Sequence, residues 1–180
     1  ARGLEADAEA TLIELTEIPA PPFGEAERAQ KFASLLREVV LRDVTVDAVG
    51  NVVARRPGRG RGETIAIVAH LDTVFPLETD VTVRRQGDRL YAPGIADDTR
   101  GLVLLLNVAH ALDRAGVSTV ADILFVGSVG EEGLGDLRGV RHLLRPGGPR
   151  IDEMIAIDGG SDSRVVNQAL GSRRYIVRVT

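Results

Sequence analysis

The sequence contains no cysteine and no tryptophan, and aromatic residues make up only 3% of it. The lack of cysteine excludes a disulfide scaffold, an iron–sulfur cluster and every zinc site that is built on thiolates. Few aromatic side chains are present on which bases could stack, and a net charge of -4 at pH 7 opposes binding to nucleic acid. Any bound metal ion must therefore be held by carboxylates and by the three histidines.

Long apolar runs and a leader pattern are also absent. The longest apolar stretch begins at Leu102, is interrupted by Asn107 and His110, and is far too short to cross a membrane. The first seven residues, ARGLEAD, lack the basic and then apolar order of a signal peptide. We therefore expect a cytoplasmic protein that binds neither nucleic acid nor membrane.

The 180 residues are 44% hydrophobic, which is enough for the core of about one domain. Apolar residues at helical spacing predict helices over residues 4–17, 24–40, 98–115 and 134–144. Continuous apolar runs predict strands that are buried on both faces over residues 64–69, 121–126 and 154–157. Shorter β patterns occur at residues 44–47, 51–54 and 173–180, and residues 81–91 are typical of a hairpin. Buried strands that alternate with helices favour an α/β protein with a mainly parallel sheet and helices on both faces.

An arginine-rich loop, RRPGRGRG, occupies residues 55–62. Its arginines offer a possible phosphate contact, but no aromatic residues are interleaved with them. We interpret the loop as the solvated tip of a hairpin.

Acidic residues and one histidine follow the three buried strands. Because ligands of open α/β sheets bind outside the carboxyl ends of the strands, we expect these side chains to meet at one edge. They are His70, Asp72, Glu131, Glu132 and Asp158. Taken singly, each acid is more typical of a helix cap or a solvated turn. With Asp97, the number of carboxylates expected at this edge is five. So many negative charges close together are costly unless cations neutralise them, and the pattern therefore predicts a metal site.

Four segments in order, AHLDTV, APGIADD, GEEGLGD and IDGG, resemble the co-catalytic two-zinc exopeptidase and deacylase family. That family includes peptidase T-like tripeptidases, glutamate-releasing carboxypeptidases, and acetylornithine and succinyl-diaminopimelate deacylases. The resemblance implies a three-layer αβα fold with a mixed, mostly parallel central sheet. In the segment GEEGLGD, the two glutamates followed by leucine, glycine and aspartate favour the peptidase T-like branch of the family.

The resemblance also implies a role for each residue of the site. His70 and Asp158 would bind the first zinc, Glu132 would bind the second, and Asp97 would bridge the two ions. Glu131 would be the general base that accepts a proton from water and passes it to the leaving amine. Asp72 would hold the orientation of His70. The peptide bond between Asp97 and Asp98 would be cis.

The chain departs from the family at its end. The second zinc requires a distant C-terminal histidine, and no histidine follows His142. His110 and His142 lie in predicted helices and are interpreted as structural. We therefore expect the isolated chain to hold at most one well-formed zinc site and to be inactive, whereas the full-length enzyme would hold two Zn²⁺ or other divalent ions.

The resemblance also implies a domain division. Residues 1–171 would be the N-terminal part of a catalytic domain, and residues 172–180 would be the first strand of a lid or dimerisation domain. Through that domain the full-length protein would form a homodimer.

Three functions follow as hypotheses. The first is a zinc-dependent exopeptidase with a preference for tripeptides. The second uses the same dinuclear site as an N-acyl amino acid deacylase or a carboxypeptidase. The third, from another class, is a metal-binding fragment without catalytic activity.

Overall fold

The structure is a computed structural model of the 180-residue chain. It describes residues 2–39, 41–60, 62–159, 163, 165–168, 170–171 and 177–179. The strand expected over residues 173–180 and the domain boundary at residue 172 fall mainly outside the described residues.

Helices and strands alternate along the described chain much as the apolar pattern predicts. The helices are α1 (Arg2–Thr16), α2 (Ala26–Glu38), α3 (Arg100–Arg114) and α4 (Arg138–Leu143). The strands are β1 (Arg42–Val46), β2 (Val52–Arg56), β3 (Thr64–His70), β4 (Arg84–Gln86), β5 (Arg89–Tyr91), β6 (Asp122–Ser128) and β7 (Glu153–Ala156). A short irregular helical turn, Ile95–Thr99, leads into α3. The positive φ of Gly116, 60°, follows the end of α3, as expected for a glycine that ends a helix.

Five strands form one mixed sheet in the order β1-β2-β6-β3-β7. β3 runs parallel to both β6 and β7, whereas β2 runs antiparallel to β1 and to β6. The predicted mixed sheet is therefore confirmed. β4 and β5 form a separate two-stranded hairpin around Gly87.

Side chains of the central strands alternate between two apolar layers. On β6, Ile123 and Phe125 pack in the larger cluster with side chains of α1, α2 and α3. Leu124 and Val126 face the opposite way and pack with Leu143 of α4. This period of two matches a strand that is covered on both faces. The arrangement of helices on both sides of the sheet confirms the αβα fold.

The predicted helix over residues 134–144 is broken. Asp136 and Leu137 have φ values of 52° and 55°, which two successive residues of a right-handed helix cannot adopt. The regular helix α4 therefore begins only at Arg138, and Gly133–Gly135 forms a separate 3-10 turn.

The prediction of a hairpin at the arginine-rich loop is wrong, because β6 lies between β2 and β3 in the sheet. The loop crosses the start of β6 instead. There the carboxylate of Asp122 accepts the N–H of Gly58 at 2.7 Å and the Nε–H of Arg55 at 3.0 Å. A Cβ atom on Gly58 would lie 2.4 Å from the carbonyl oxygen of Ala121, so this close approach requires glycine.

The strand predicted over residues 154–157 forms as β7, but the prediction that it is buried on both faces is wrong. β7 pairs with β3 alone among the described strands and is the edge of the described sheet. The side chain of Ile155 is accordingly 54% exposed. No helix in the described part of the chain is long and apolar enough to span a membrane.

Candidate metal centre

The carboxyl ends of β3, β6 and β7 lie side by side at one edge of the sheet. The register pairs His70 with Ser128 and Val68 with Ala156, so the three strands end nearly level. The segments that follow these strands carry the predicted acidic residues. The topology therefore brings together the residues that the sequence pattern placed at this edge.

His70 ends β3 and is almost completely buried. Its Nδ1 atom lies 2.9 Å from the main-chain carbonyl oxygen of Asp72. Its Nε2 atom lies 2.9 Å from Oδ1 of Asp97 and 3.9 Å from Oδ1 of Asp158. A carbonyl oxygen only accepts hydrogen bonds, so we assign a proton to Nδ1. Nε2 faces the two carboxylates, where it donates to Asp97 when the imidazole is protonated and is available to a metal ion when it is not.

Two groups of potential metal donors share His70. In each group the nitrogen and carboxylate oxygens lie within 4.8 Å of one another, and the groups are His70 with Asp97 and Asp158, and His70 with Glu131 and Glu132. The first group contains the three residues that the resemblance assigned to the first zinc. One imidazole nitrogen with carboxylate oxygens is a donor set that suits zinc and other divalent cations, so the residues present fit a metal ion.

Access to the centre is uneven. The side chains of Asp97 and Asp158 are 55% and 59% exposed, whereas His70 is 3% exposed. A bound ion would therefore sit against a buried imidazole on one side and face solvent on the other. This geometry suits an ion that binds an exogenous ligand.

Asp72 contacts both His70 and the glutamates. Its carboxylate is fully buried and accepts the N–H of Glu131 at 3.0 Å and the N–H of Glu132 at 2.8 Å. Its Oδ1 atom lies 3.7 Å from Nδ1 of His70, so the contact with the imidazole is made by the main-chain carbonyl. The Asp72 side chain thus fixes the backbone that presents the two glutamates.

Asp98 has a structural position that the sequence pattern did not reveal. The residue is buried, and its Oδ2 accepts the backbone N–H of His70 at 3.0 Å. Burial raises the pKa of this carboxyl group to about 7. The peptide bond between Asp97 and Asp98 is cis, as the resemblance implied. The one available signal was the second acid in ADD, directly before a strongly apolar helix.

The electrostatics of the centre reflect crowded negative charge. Burial raises the pKa of Glu131 and of Glu132, and neighbouring carboxylates add to both increases. Burial lowers the pKa of His70, but the charges of surrounding carboxylates, led by Asp98, outweigh it and the net shift is upward. A cation would relieve this repulsion, because it stabilises the ionised form of every carboxylate around it.

Two buried residues behind the centre were not singled out from the sequence. Arg28 of α2 is 1% exposed and donates through Nη1 to the carbonyl oxygen of Leu71 at 3.0 Å, beside Asp72. Burial lowers its pKa to about 10. Asn51 is fully buried and contacts the main chain at Val129 and Gly139. No side-chain pattern identifies either residue, because most of their partners are main-chain atoms.

The other two histidines lie outside both donor groups. His110 is half-buried on α3. The Nε2 atom of His142, on α4, lies 3.8 Å from Oδ2 of Asp47. Neither residue belongs to a donor group among the described residues, and their interpretation as structural stays a prediction.

Comparison with known proteins identifies the family to which the chain belongs. The model of peptidase family M20/M25/M40 matches residues 66–171, a range that contains every residue of the two donor groups. The chain belongs to this family of metallopeptidases and related hydrolases. The resemblance drawn from the four sequence segments is thereby confirmed.

Three relatives show how far the likeness extends. Carboxypeptidase G2 of Pseudomonas sp. (strain RS-16) is 33% identical over 84 residues, which are 46% of this chain and 20% of that protein. A tripeptidase from Staphylococcus aureus is 26% identical, with a TM-score of 0.63 over 86% of this chain and 43% of that chain. The YXEP protein of Bacillus subtilis, a dinuclear metal-binding peptidase, is 16% identical, with a TM-score of 0.65 over 89% of this chain and 44% of that chain. This chain therefore spans less than half the length of each of the three.

Proposed function

We propose that this site hydrolyses the amide bond of a small peptide with the help of divalent metal ions and a glutamate base. The observation that carries the proposal is the position of His70. Its Nε2 faces the carboxylates of Asp97 and Asp158, and the carboxylates of Glu131 and Glu132 lie within 4.8 Å of the same imidazole. Ligands for a metal and a candidate base are thus gathered around one ring.

In this proposal His70 and Asp158 would hold one zinc ion, Glu132 would hold the second, and Asp97 would contribute to both sites. When bound, such ions polarise the amide carbonyl and increase the acidity of water. The hydrogen bond from Nδ1 to the carbonyl of Asp72 keeps the imidazole in the tautomer that coordinates through Nε2. The half-exposed carboxylates of Asp97 and Asp158 leave room for substrate on the solvent side.

Glu131 is proposed as the general base. Its backbone N–H is fixed by the carboxylate of Asp72, and its carboxyl group is partly buried beside the imidazole. Burial raises its pKa, which brings the group closer to the pH at which it accepts and returns a proton efficiently. Glu131 accepts a proton from the attacking water and returns it to the leaving amine nitrogen.

Substrate preference is proposed as tripeptide-like, and the likeness to the tripeptidase from Staphylococcus aureus supports this choice. The alternative is an N-acyl amino acid deacylase or a carboxypeptidase, and the likeness to carboxypeptidase G2 supports that reading. A panel of tripeptides, N-acyl amino acids and peptides with C-terminal glutamate distinguishes them. Release of the N-terminal residue from tripeptides supports the first proposal, whereas exclusive cleavage of acyl amino acids or of C-terminal glutamate overturns it.

The third hypothesis, a metal-binding chain without turnover, is tested on the same samples. The proposed ligand assignment gives one ion three donors, His70, Asp97 and Asp158, but gives the other only Asp97 and Glu132. We propose that the 180-residue chain by itself binds one zinc ion well and turns over little or no peptide. Assays use this chain and any longer form of the protein that contains it, with zinc content measured in both.

A further inference from the structure

The carboxamide of Asn51 joins the two ends of the segment that carries the glutamates. Asn51 directly precedes β2 and its side chain is completely buried. Its Oδ1 accepts the N–H of Val129 at 3.0 Å, and its Nδ2 donates to the carbonyl oxygen of Gly139 at 3.0 Å. The N–H of Gly139 in turn donates to the carbonyl oxygen of Val129 at 2.9 Å. Residues 130–138, which we call the glutamate loop, are closed at their base by these three hydrogen bonds.

Asn51 is itself held in one orientation. Its Nδ2 also donates to Oδ2 of Asp47 at 2.8 Å, and Oδ1 of Asp47 accepts the backbone N–H of Asn51 at 3.0 Å. Both protons of the amide nitrogen and the amide oxygen therefore have partners, which assigns the oxygen to the side of Val129. An aspartate at this position would direct a second acceptor at Gly139 and a second carboxylate at Asp47.

The glutamate loop needs such an anchor. It includes Gly130, Gly133 and Gly135, and the first two have φ values of 64° and 49°, so its backbone has wide conformational freedom in the unfolded chain. On the side of β3, the carboxylate of Asp72 accepts the N–H groups of the two glutamates. On the side of β2, Asn51 holds the base of the loop.

We infer that Asn51 is a positioning residue, which sets where Glu131 and Glu132 stand relative to His70. The inference rests on the proposed function for the roles of the two glutamates, whereas the anchoring of the loop rests on the hydrogen bonds alone. Sites of this kind require their donors to be held within a fraction of an ångström, which a loop achieves only through fixed supports.

The first experiment measures how well the backbone of the glutamate loop is held in the metal-free chain. Backbone hydrogen exchange is measured for the metal-free chain, for Asn51→Asp, which preserves shape, and for Asn51→Ala, which removes the carboxamide. We expect at least tenfold faster exchange at Val129, Glu131 and Glu132 in both variants, with the amides of α3 unchanged. Unchanged protection in the glutamate loop would overturn the inference.

Thr16→Val is the matched control for this measurement. Thr16 is also completely buried, and its hydroxyl donates within α1 to the carbonyl oxygen of Leu12 at 2.6 Å. The control removes one buried polar group that does not contact the glutamate loop. We expect no change in exchange at Glu131 or Glu132, and a change as large as that of Asn51→Ala would mean that the loop reports only general destabilisation, against the inference.

The second experiment is a double-mutant cycle in which the zinc affinity of each variant is measured by isothermal titration calorimetry. Glu132→Gln identifies the binding event that depends on Glu132. Asn51→Ala should weaken that event about tenfold in the parent chain and should have little further effect in the Glu132→Gln background. An equal loss in both backgrounds would overturn the positioning role. If the parent chain binds no zinc, the proposed function fails, and the exchange experiment still decides whether Asn51 anchors the loop.

Discussion

The Nδ1 atom of His70 lies 2.9 Å from the main-chain carbonyl oxygen of Asp72, two residues further along the chain. The acceptor that selects the imidazole tautomer is thus part of the backbone. The side chain of Asp72 is free for another task, and its carboxylate holds the N–H groups of Glu131 and Glu132. Asp72 therefore selects the tautomer of His70 through its carbonyl oxygen and fixes the backbone of the two glutamates through its carboxylate.

Replacement of Asp72 by asparagine separates these two tasks. The main-chain contact with His70 is retained, whereas the amide NH₂ opposes one of the two glutamate N–H groups. We expect the affinity for the zinc ion that depends on Glu132 to fall about 10- to 100-fold, and the imidazole ¹⁵N spectrum of the metal-free chain to keep the signature of a protonated Nδ1. The exposed Asp88 gives a matched control, and Asp88→Asn should alter neither property. Unchanged zinc affinity in Asp72→Asn would contradict the prediction.

The number of zinc ions per chain is the second prediction. One tightly bound ion is expected after dialysis, because the proposed ligand assignment gives a second ion only Asp97 and Glu132. His70→Ala should abolish tight binding, whereas His110→Ala should not change it, since His110 lies outside both donor groups. Elemental analysis checks the stoichiometry. Two tightly bound ions per 180-residue chain would show that the donor assignment is incomplete.

Glu131→Gln tests the base. The substitution preserves size and polarity but removes the proton acceptor, so turnover should fall by about 10²- to 10⁴-fold in any active form of the protein. Zinc content should stay at the parental value, because Glu131 is not assigned as a ligand. Glu132→Gln serves as the comparison and should reduce both. Parental turnover in Glu131→Gln would exclude this residue as the base.

Asp122 gives a prediction about pH and stability that is independent of the metal centre. The N–H of Gly58 and then the guanidinium of Arg55 lower the pKa of this carboxyl group below its ordinary value of 3.8. A carboxyl group with a lowered pKa contributes stability above its ordinary pKa and loses that contribution as the pH falls through the folded value. Asp122→Asn should therefore reduce the free energy of unfolding at pH 7 by about 1 kcal/mol, since the pair is partly exposed.

Urea unfolding at pH 7 and again near pH 3.5 checks this prediction. The difference between the parent chain and Asp122→Asn should narrow at the lower pH. Asp88→Asn provides a control with an exposed carboxylate in the β4–β5 hairpin. A difference that is constant with pH would show that the ionised form of Asp122 does not stabilise the fold.

Much of the fold was predictable because apolar runs mark strands that are covered on both faces. The sheet-edge rule also predicts from the sequence alone that His70, Glu131 and Asp158 lie close together. The break before α4 was not predictable, because Leu137 adopts a left-handed backbone that leucine rarely takes. The exposure of Ile155 was also missed, since it depends on which strand lies next to β7.

The role of Asn51 could not be read from the chain for a different reason. Its partners at Val129 and Gly139 are main-chain groups 78 and 88 residues away. A main-chain partner leaves no residue type to recognise, and the turn DAVGN alone indicates only a connection between two strands. Such contacts become visible only once β2 and β6 are paired.

The position of β6 between β2 and β3 has a consequence for the order in which the molecule assembles. Each of its two pairings joins segments separated by the β4–β5 hairpin and α3, so neither forms by local zipping. Topologies dominated by such distant pairings fold slowly. The donors on the segments after β3, β6 and β7 come together only when the middle of the sheet is complete, so zinc uptake should follow sheet formation in a refolding reaction and report its final step.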